Sequence, residues 1–102
     1  MPKKYNKLIR DKIPEIIIAA GAKPITHIAD DEEYWEKLQA KLLEEANEFI
    51  EDNNMEEIAD VLEVIDAICK YKGYSKEEII KIQTTKRDKR GGFDKKIILD
   101  ES

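Results

Sequence analysis

With 102 residues, 41% of them hydrophobic, the chain suits one domain with a modest core and is too apolar for disorder. No apolar run approaches the roughly 20 residues of a membrane span, and the basic start Met1-Pro2-Lys3-Lys4-Tyr5 leads into no apolar signal core. The single cysteine, Cys69, excludes an internal disulfide, so a reducing, cytoplasmic setting is expected.

The net charge of −5 conceals a division. From Asp30 to Asp66 there are 15 acidic residues and two basic ones, Lys37 and Lys41, while the remainder carries 16 basic and 8 acidic residues. An acidic middle between basic ends can hold a cation at its centre and grip an anion from its edges; a solvated helical surface with basic tails has the same counts. Position has to decide between them.

In chain order, Asp11 is placed to cap a first helix running to Ala20, with Pro14 in the first turn and Gly21 ending it. Lys23-Pro24 enforces extended chain, and Ile25–Ala29 reads as a short strand. A second helix is expected over Asp31–Glu51, with acids in the first turn where the helix dipole favours them. Asp52-Asn53-Asn54 is a tight connection, so the third helix, Met55–Lys72, folds back antiparallel and ends at Gly73. Ser75 with Glu78 makes a capping box for a fourth helix that stops before Gly91-Gly92. Ile97 and Leu99 suggest a last strand beside Ile25–Ala29.

The second helix carries a seam of Trp35, Leu38, Leu42, Ala46 and Phe49. Glu45 stands within it, Glu48 flanks it, and Glu44 faces more toward water. On the third helix Glu56, Glu63, Asp66 and Lys70 share one polar face, and nearly every other direction is apolar. Such a helix is buried on several sides and implies contact with a partner subunit. Glu57 and Asp60 fall on its apolar side, in line with Val61, Val64, Ala67 and Ile68.

Glu45 and Glu48 are three apart, as are Glu57 and Asp60, so each pair projects from adjacent turns. The short connection brings the two pairs together at one end of a hairpin. Four clustered carboxylates repel one another unless a counter-ion intervenes, and a hard divalent cation such as magnesium takes oxygen ligands while keeping waters that a phosphate oxygen can replace. Two structural alternatives compete. Asn54 can cap the third helix with Glu57 reaching back, although Asn53 with Glu56 offers the same cap; and Glu45 and Glu48 can pair with Lys41 or other bases. His27 lies outside the helices and reads as a strand residue or substrate-edge contact. Cys69, among apolar neighbours, reads as core.

Glu44-Glu45-Ala46-Asn47-Glu48 followed by Glu57-Ile58-Ala59-Asp60 resembles the EExxE…ExxD signature of the MazG-like, all-α nucleoside triphosphate pyrophosphohydrolases, whose superfamily includes phosphoribosyl-ATP pyrophosphohydrolase and the dimeric dUTPases. The opening Tyr5-Asn6-Lys7-Leu8-Ile9-Arg10-Asp11-Lys12-Ile13-Pro14 and the late Arg90-Gly91-Gly92-Phe93 resemble a compact, phosphoribosyl-ATP pyrophosphohydrolase-like subgroup. The resemblance implies one all-α, mainly helical domain over residues 1–102. It would be a four-helix bundle with at most a short two-stranded β element, assembling as a homodimer or homotetramer.

It further implies hydrolysis of the α–β phosphoanhydride of a nucleoside triphosphate to monophosphate and pyrophosphate, in nucleotide-pool house-cleaning. Glu45, Glu48, Glu57 and Asp60 would hold Mg2+, with Mn2+ able to substitute. Glu44 would orient or deprotonate the attacking water, so that Glu44 and Glu45 form the catalytic pair.

The basic segments gain roles beside it: Arg10, Lys12, Lys86 and Arg90 as substrate contacts, Gly91 and Gly92 allowing close approach to phosphate, and Phe93 able to stack on a base. Lys7 reads as surface charge. No nucleic-acid or membrane partner is expected, since the basic residues flank an acidic centre. The rival function is a non-catalytic helical module that binds a nucleotide or a protein as a regulator.

Overall fold

The computed structural model describes residues 3–102 and is helical, with four helices and no strand among the described residues: α1 (Ile13–Ala19), α2 (Asp31–Asp52), α3 (Met55–Lys72) and α4 (Lys76–Arg90). The ends of α2, α3 and α4 follow from their caps. Asp30, Asn54 and Ser75 each accept a hydrogen bond from the backbone N–H three residues on, at 2.8, 3.0 and 3.3 Å. These bonds satisfy donors that a helix start leaves open. Asn53 closes α2 in the left-handed region at φ 54°, and Gly73 closes α3 at φ 73°, where a side chain would be strained. Asn53 therefore ends one helix and Asn54 begins the next, and this settles the cap of α3 in favour of Asn54.

Two expectations are corrected. Asp11 caps nothing: α1 begins at Ile13, and Lys12 occupies the N-cap position without a side-chain bond. The expected strands at Ile25–Ala29 and around Ile97 and Leu99 are irregular chain. Ile25 and Ile28 are 95% and 96% exposed, and Ile97, Ile98 and Leu99 are exposed too. Two lone segments with no helix to cover them bury too little to hold a ladder.

Packing is concentrated in the α2–α3 hairpin, the one extensive helix–helix contact among the described residues. Leu38 is fully buried, and Val64 and Cys69 from α3 complete the small core. At the open end of the hairpin Tyr71 stacks on Trp35, with ring centroids 5.5 Å apart and planes 6° from parallel, while its hydroxyl donates to the Asp31 carbonyl at 3.2 Å. This contact fixes the antiparallel register, and the same register sets Glu45 level with Asp60 at the other end. A Lys76–Asp66 ion pair of 2.9 Å ties the start of α4 to α3, but α4 buries none of its residues. The radius of gyration is 18.0 Å, against roughly 13 Å for a compact domain of this length. The expected four helices are present, and within one chain the described residues pack as an α2–α3 hairpin with α1 and α4 lying outside it. No helix among the described residues is long and apolar enough to cross a membrane.

Candidate metal centre

Three carboxylates converge where the register places them. Glu45, Glu57 and Asp60 each offer an oxygen, and these atoms lie within 4.8 Å of one another. Glu45 sits on the apolar seam of α2 and is buried, with 7% of its surface exposed. Glu57 and Asp60, one turn apart on α3, are half-buried. The Oε2 atoms of Glu45 and Glu57 are buried and accept no hydrogen bond. A buried carboxylate oxygen without a partner is costly, so this pair requires a proton or a cation.

Titration behaviour follows from the geometry. Desolvation pushes the Glu45 carboxyl above its ordinary value; Lys41 pulls it back and Glu48 pushes it up again. Glu57 is raised too, by desolvation first and then by the charges of Asp52, Asp60 and Glu45, with Glu48 acting the other way. Glu48 thus stands beside the cluster and perturbs both neighbours. Its own oxygens are not among the three that converge.

A basic frame surrounds the acids. Arg10 donates to Asp60 Oδ1 at 2.7 Å, joining the N-terminal segment to α3. Lys7 donates to Glu44 Oε1 at 2.7 Å, and Lys41 reaches Glu44 Oε2 at 3.0 Å and Glu45 Oε1 at 3.3 Å. Desolvation alone would raise Glu44, but the two ammonium groups outweigh it and hold its carboxyl below the ordinary value. Lys41 moves oppositely: desolvation lowers it, and Glu44 and Glu45 more than compensate.

The Lys41 pairing anticipated as an alternative to metal binding is therefore present. It reaches one oxygen of Glu45 and leaves the other bare. Lys7, expected to be surface charge, is instead paired with Glu44 across 37 residues of sequence.

The other expected substrate contacts are not brought to the acids within one chain. Lys12 stands at the N-cap position of α1, where its side chain makes no capping bond. Lys86 and Arg90 lie on α4, with Lys81, Ile82, Thr85 and Lys89 lining an open groove along that helix. Gly91, Gly92 and Phe93 follow it, and Phe93 is 97% exposed. The physical reason is directional: α4 starts where α3 ends, roughly 20 Å of helix from Asp60, and does not fold back. His27 bonds Glu33 at 2.9 Å in irregular chain, and Cys69 is buried core as expected.

Residues in this chain fit a hard divalent cation: an all-oxygen donor set with two bare, buried oxygens. Histidine and cysteine, which zinc would want, are absent from the cluster.

No family model matches the chain, and no solved structure matches it. An uncharacterized protein of Mycolicibacterium smegmatis is 50% identical over 42 residues, which is 41% of this chain and 43% of that protein. The chain thus spans less than half the length of the relative it matches.

Proposed function

We propose that this protein is a Mg2+-dependent nucleotide pyrophosphohydrolase that cleaves the α–β phosphoanhydride of a nucleoside triphosphate and releases pyrophosphate. The observation that carries the reading is the pair of bare, buried oxygens on Glu45 and Glu57 beside Asp60. The resemblance of Glu44–Glu48 and Glu57–Asp60 to the MazG-like signature supports the same conclusion. Glu45, Glu57 and Asp60 would hold the ion, with Glu48, which stands beside Glu45 and Glu57, as the fourth ligand. Bound there, the cation would supply charge neutralisation on the phosphates and a more acidic water. Mn2+ fits the same oxygen set.

The residues of the chain have separable tasks. Glu44, held below its ordinary value by Lys7 and Lys41, would orient or deprotonate the attacking water. Arg10, which donates to Asp60, would exchange that carboxylate for a phosphate oxygen. Lys86, Arg90 and Phe93 would reach the nucleotide only from a neighbouring protomer. Assembly as a homodimer or homotetramer is part of the proposal, supported by the exposed Ile58, Leu62 and Ile65 on the outer side of α3. A cytoplasmic nucleotide house-cleaning role completes it.

One observation favours the non-catalytic alternative: Lys41 and Arg10 already neutralise part of the cluster. Pyrophosphate release from a panel of standard and modified nucleoside triphosphates separates the two. Release should require Mg2+ and fall by about a hundredfold or more in Glu45→Ala and Asp60→Ala, the scale of losing one preorganised charge contact. Release that persists in EDTA, or variants that match the wild type, would sink the catalytic reading.

A further inference from the structure

A cavity of about 260 Å³ opens between the N-terminal segment and α2, walled by Asn6, Lys7, Leu8, Lys37, Lys41 and Glu44. It is below the roughly 300–1,000 Å³ of a pocket that takes a whole small-molecule ligand, so it suits a fragment. Three lysines against one glutamate leave its wall a net charge of +2, where the basic N-terminal segment meets the acidic α2.

The ammonium groups are pinned but not exhausted. Lys7 spends one hydrogen bond on Glu44, and Lys37 spends one on the Asn6 carbonyl at 2.8 Å. Lys41 divides itself between Glu44 and Glu45. An ammonium has three donors, so each retains at least one for a ligand. The lone acid in the wall, Glu44, is already covered by Lys7 and Lys41, and its repulsion toward an anion is correspondingly small. The Lys37 bond to Asn6, whose φ of 48° is left-handed, holds the segment in place and the cavity open. Lys41 and Glu44 stand at the boundary with the carboxylate cluster, so an anion in the cavity would lie directly alongside it.

We propose that this cavity is a diphosphate subsite, taking the β- and γ-phosphates of a nucleoside triphosphate or free pyrophosphate. Its placement beside the cluster rests on the metal-centre reading, while anion binding itself requires only the lysines. Lys7 and Lys37 are the specificity-determining residues: two ammonium groups on opposite elements of the wall, the N-terminal segment and α2, favour a ligand with two linked phosphates over a monophosphate.

The test is calorimetric titration of the full-length protein with inorganic pyrophosphate in EDTA, for wild type, Lys7→Gln, Lys37→Gln and, as control, the exposed Lys95→Gln. Glutamine can still donate to the Asn6 carbonyl, and circular dichroism confirms that each variant is folded. Wild type and Lys95→Gln should bind equally, and each cavity variant should weaken pyrophosphate by about tenfold with little effect on orthophosphate. Repetition with a non-hydrolysable α,β-methylene triphosphate distinguishes the sources. A parallel loss assigns the cavity to the nucleotide tail, and loss for pyrophosphate alone assigns it to the free ion.

Pyrophosphate binding that appears only with Mg2+ and ignores both lysines would overturn the proposal. Glu57→Gln keeps the two readings apart. It should abolish Mg2+ dependence and leave pyrophosphate binding in EDTA unchanged, so a Mg2+ response that survives in it would defeat the metal centre and not the subsite.

Discussion

The α2–α3 hairpin and α4 are equally well formed as helices and differ in almost everything else. Both have side-chain caps at their starts and left-handed or glycine ends. The hairpin adds a core of Leu38, Val64 and Cys69, a stacked Trp35–Tyr71 pair and a buried acid. On α4 there is no buried residue, and its apolar Ile80 and Ile82 stand 58% and 57% exposed. Local signals thus suffice to write a helix, while a site requires two helices whose register is locked. The carboxylates sit on the packed region and the strongest run of cations on the unpacked one.

The largest expected effect breaks the hairpin and spares α4. Leu38→Ala, at a fully buried position, should cost about 2–5 kcal/mol, whereas Ile82→Ala should stay within about 0.5 kcal/mol; denaturant unfolding measures both. Equal costs would mean that α4 is packed after all. Next is association. Sedimentation equilibrium should find the wild type as a dimer or tetramer and Leu62→Glu shifted toward single protomers, since a charge there faces the exposed apolar side of α3. A wild type that sediments as one protomer would remove the subunit contact from the account.

The smallest effect is on pH. Glu45 and Glu57 are raised from an ordinary 4.5, so each holds its proton more tightly folded than unfolded. Their favourable contribution is present below pH 4.5 and is lost as pH rises through the raised folded values. Glu44, lowered, contributes above 4.5 and loses that contribution as pH falls through its folded value. In EDTA the melting temperature relative to Glu57→Gln should therefore decline as pH climbs from 4.5, and magnesium should flatten the decline.

Much of the hairpin was legible in the sequence. Helical spacing put Glu45, Glu57 and Asp60 on apolar faces, and the three-residue connection dictated which ends would meet. What was illegible depended on contacts far apart in the chain. Lys7 and Arg10 reach their acids across 37 and 50 residues, and no local period records such a meeting. The strands at Ile25–Ala29 and Ile97–Leu99 failed for a related reason: β-propensity names candidates, but a strand exists only if something covers it. Lys86, Arg90 and Phe93 were assigned to the ligand by resemblance, and the path of α4 separates them from the acids of their own chain.

The central claim is that the acids of α2 and α3 come together around a divalent ion, and thermal unfolding of wild type and Glu57→Gln across a magnesium titration tests it most directly. The wild type should gain about 2.7 kcal/mol at a hundredfold excess over Kd, while the variant should be at least as stable without metal and unresponsive to it. A wild type indifferent to magnesium, together with a variant less stable in EDTA, would contradict the claim and leave the carboxylates to Lys41 and Arg10.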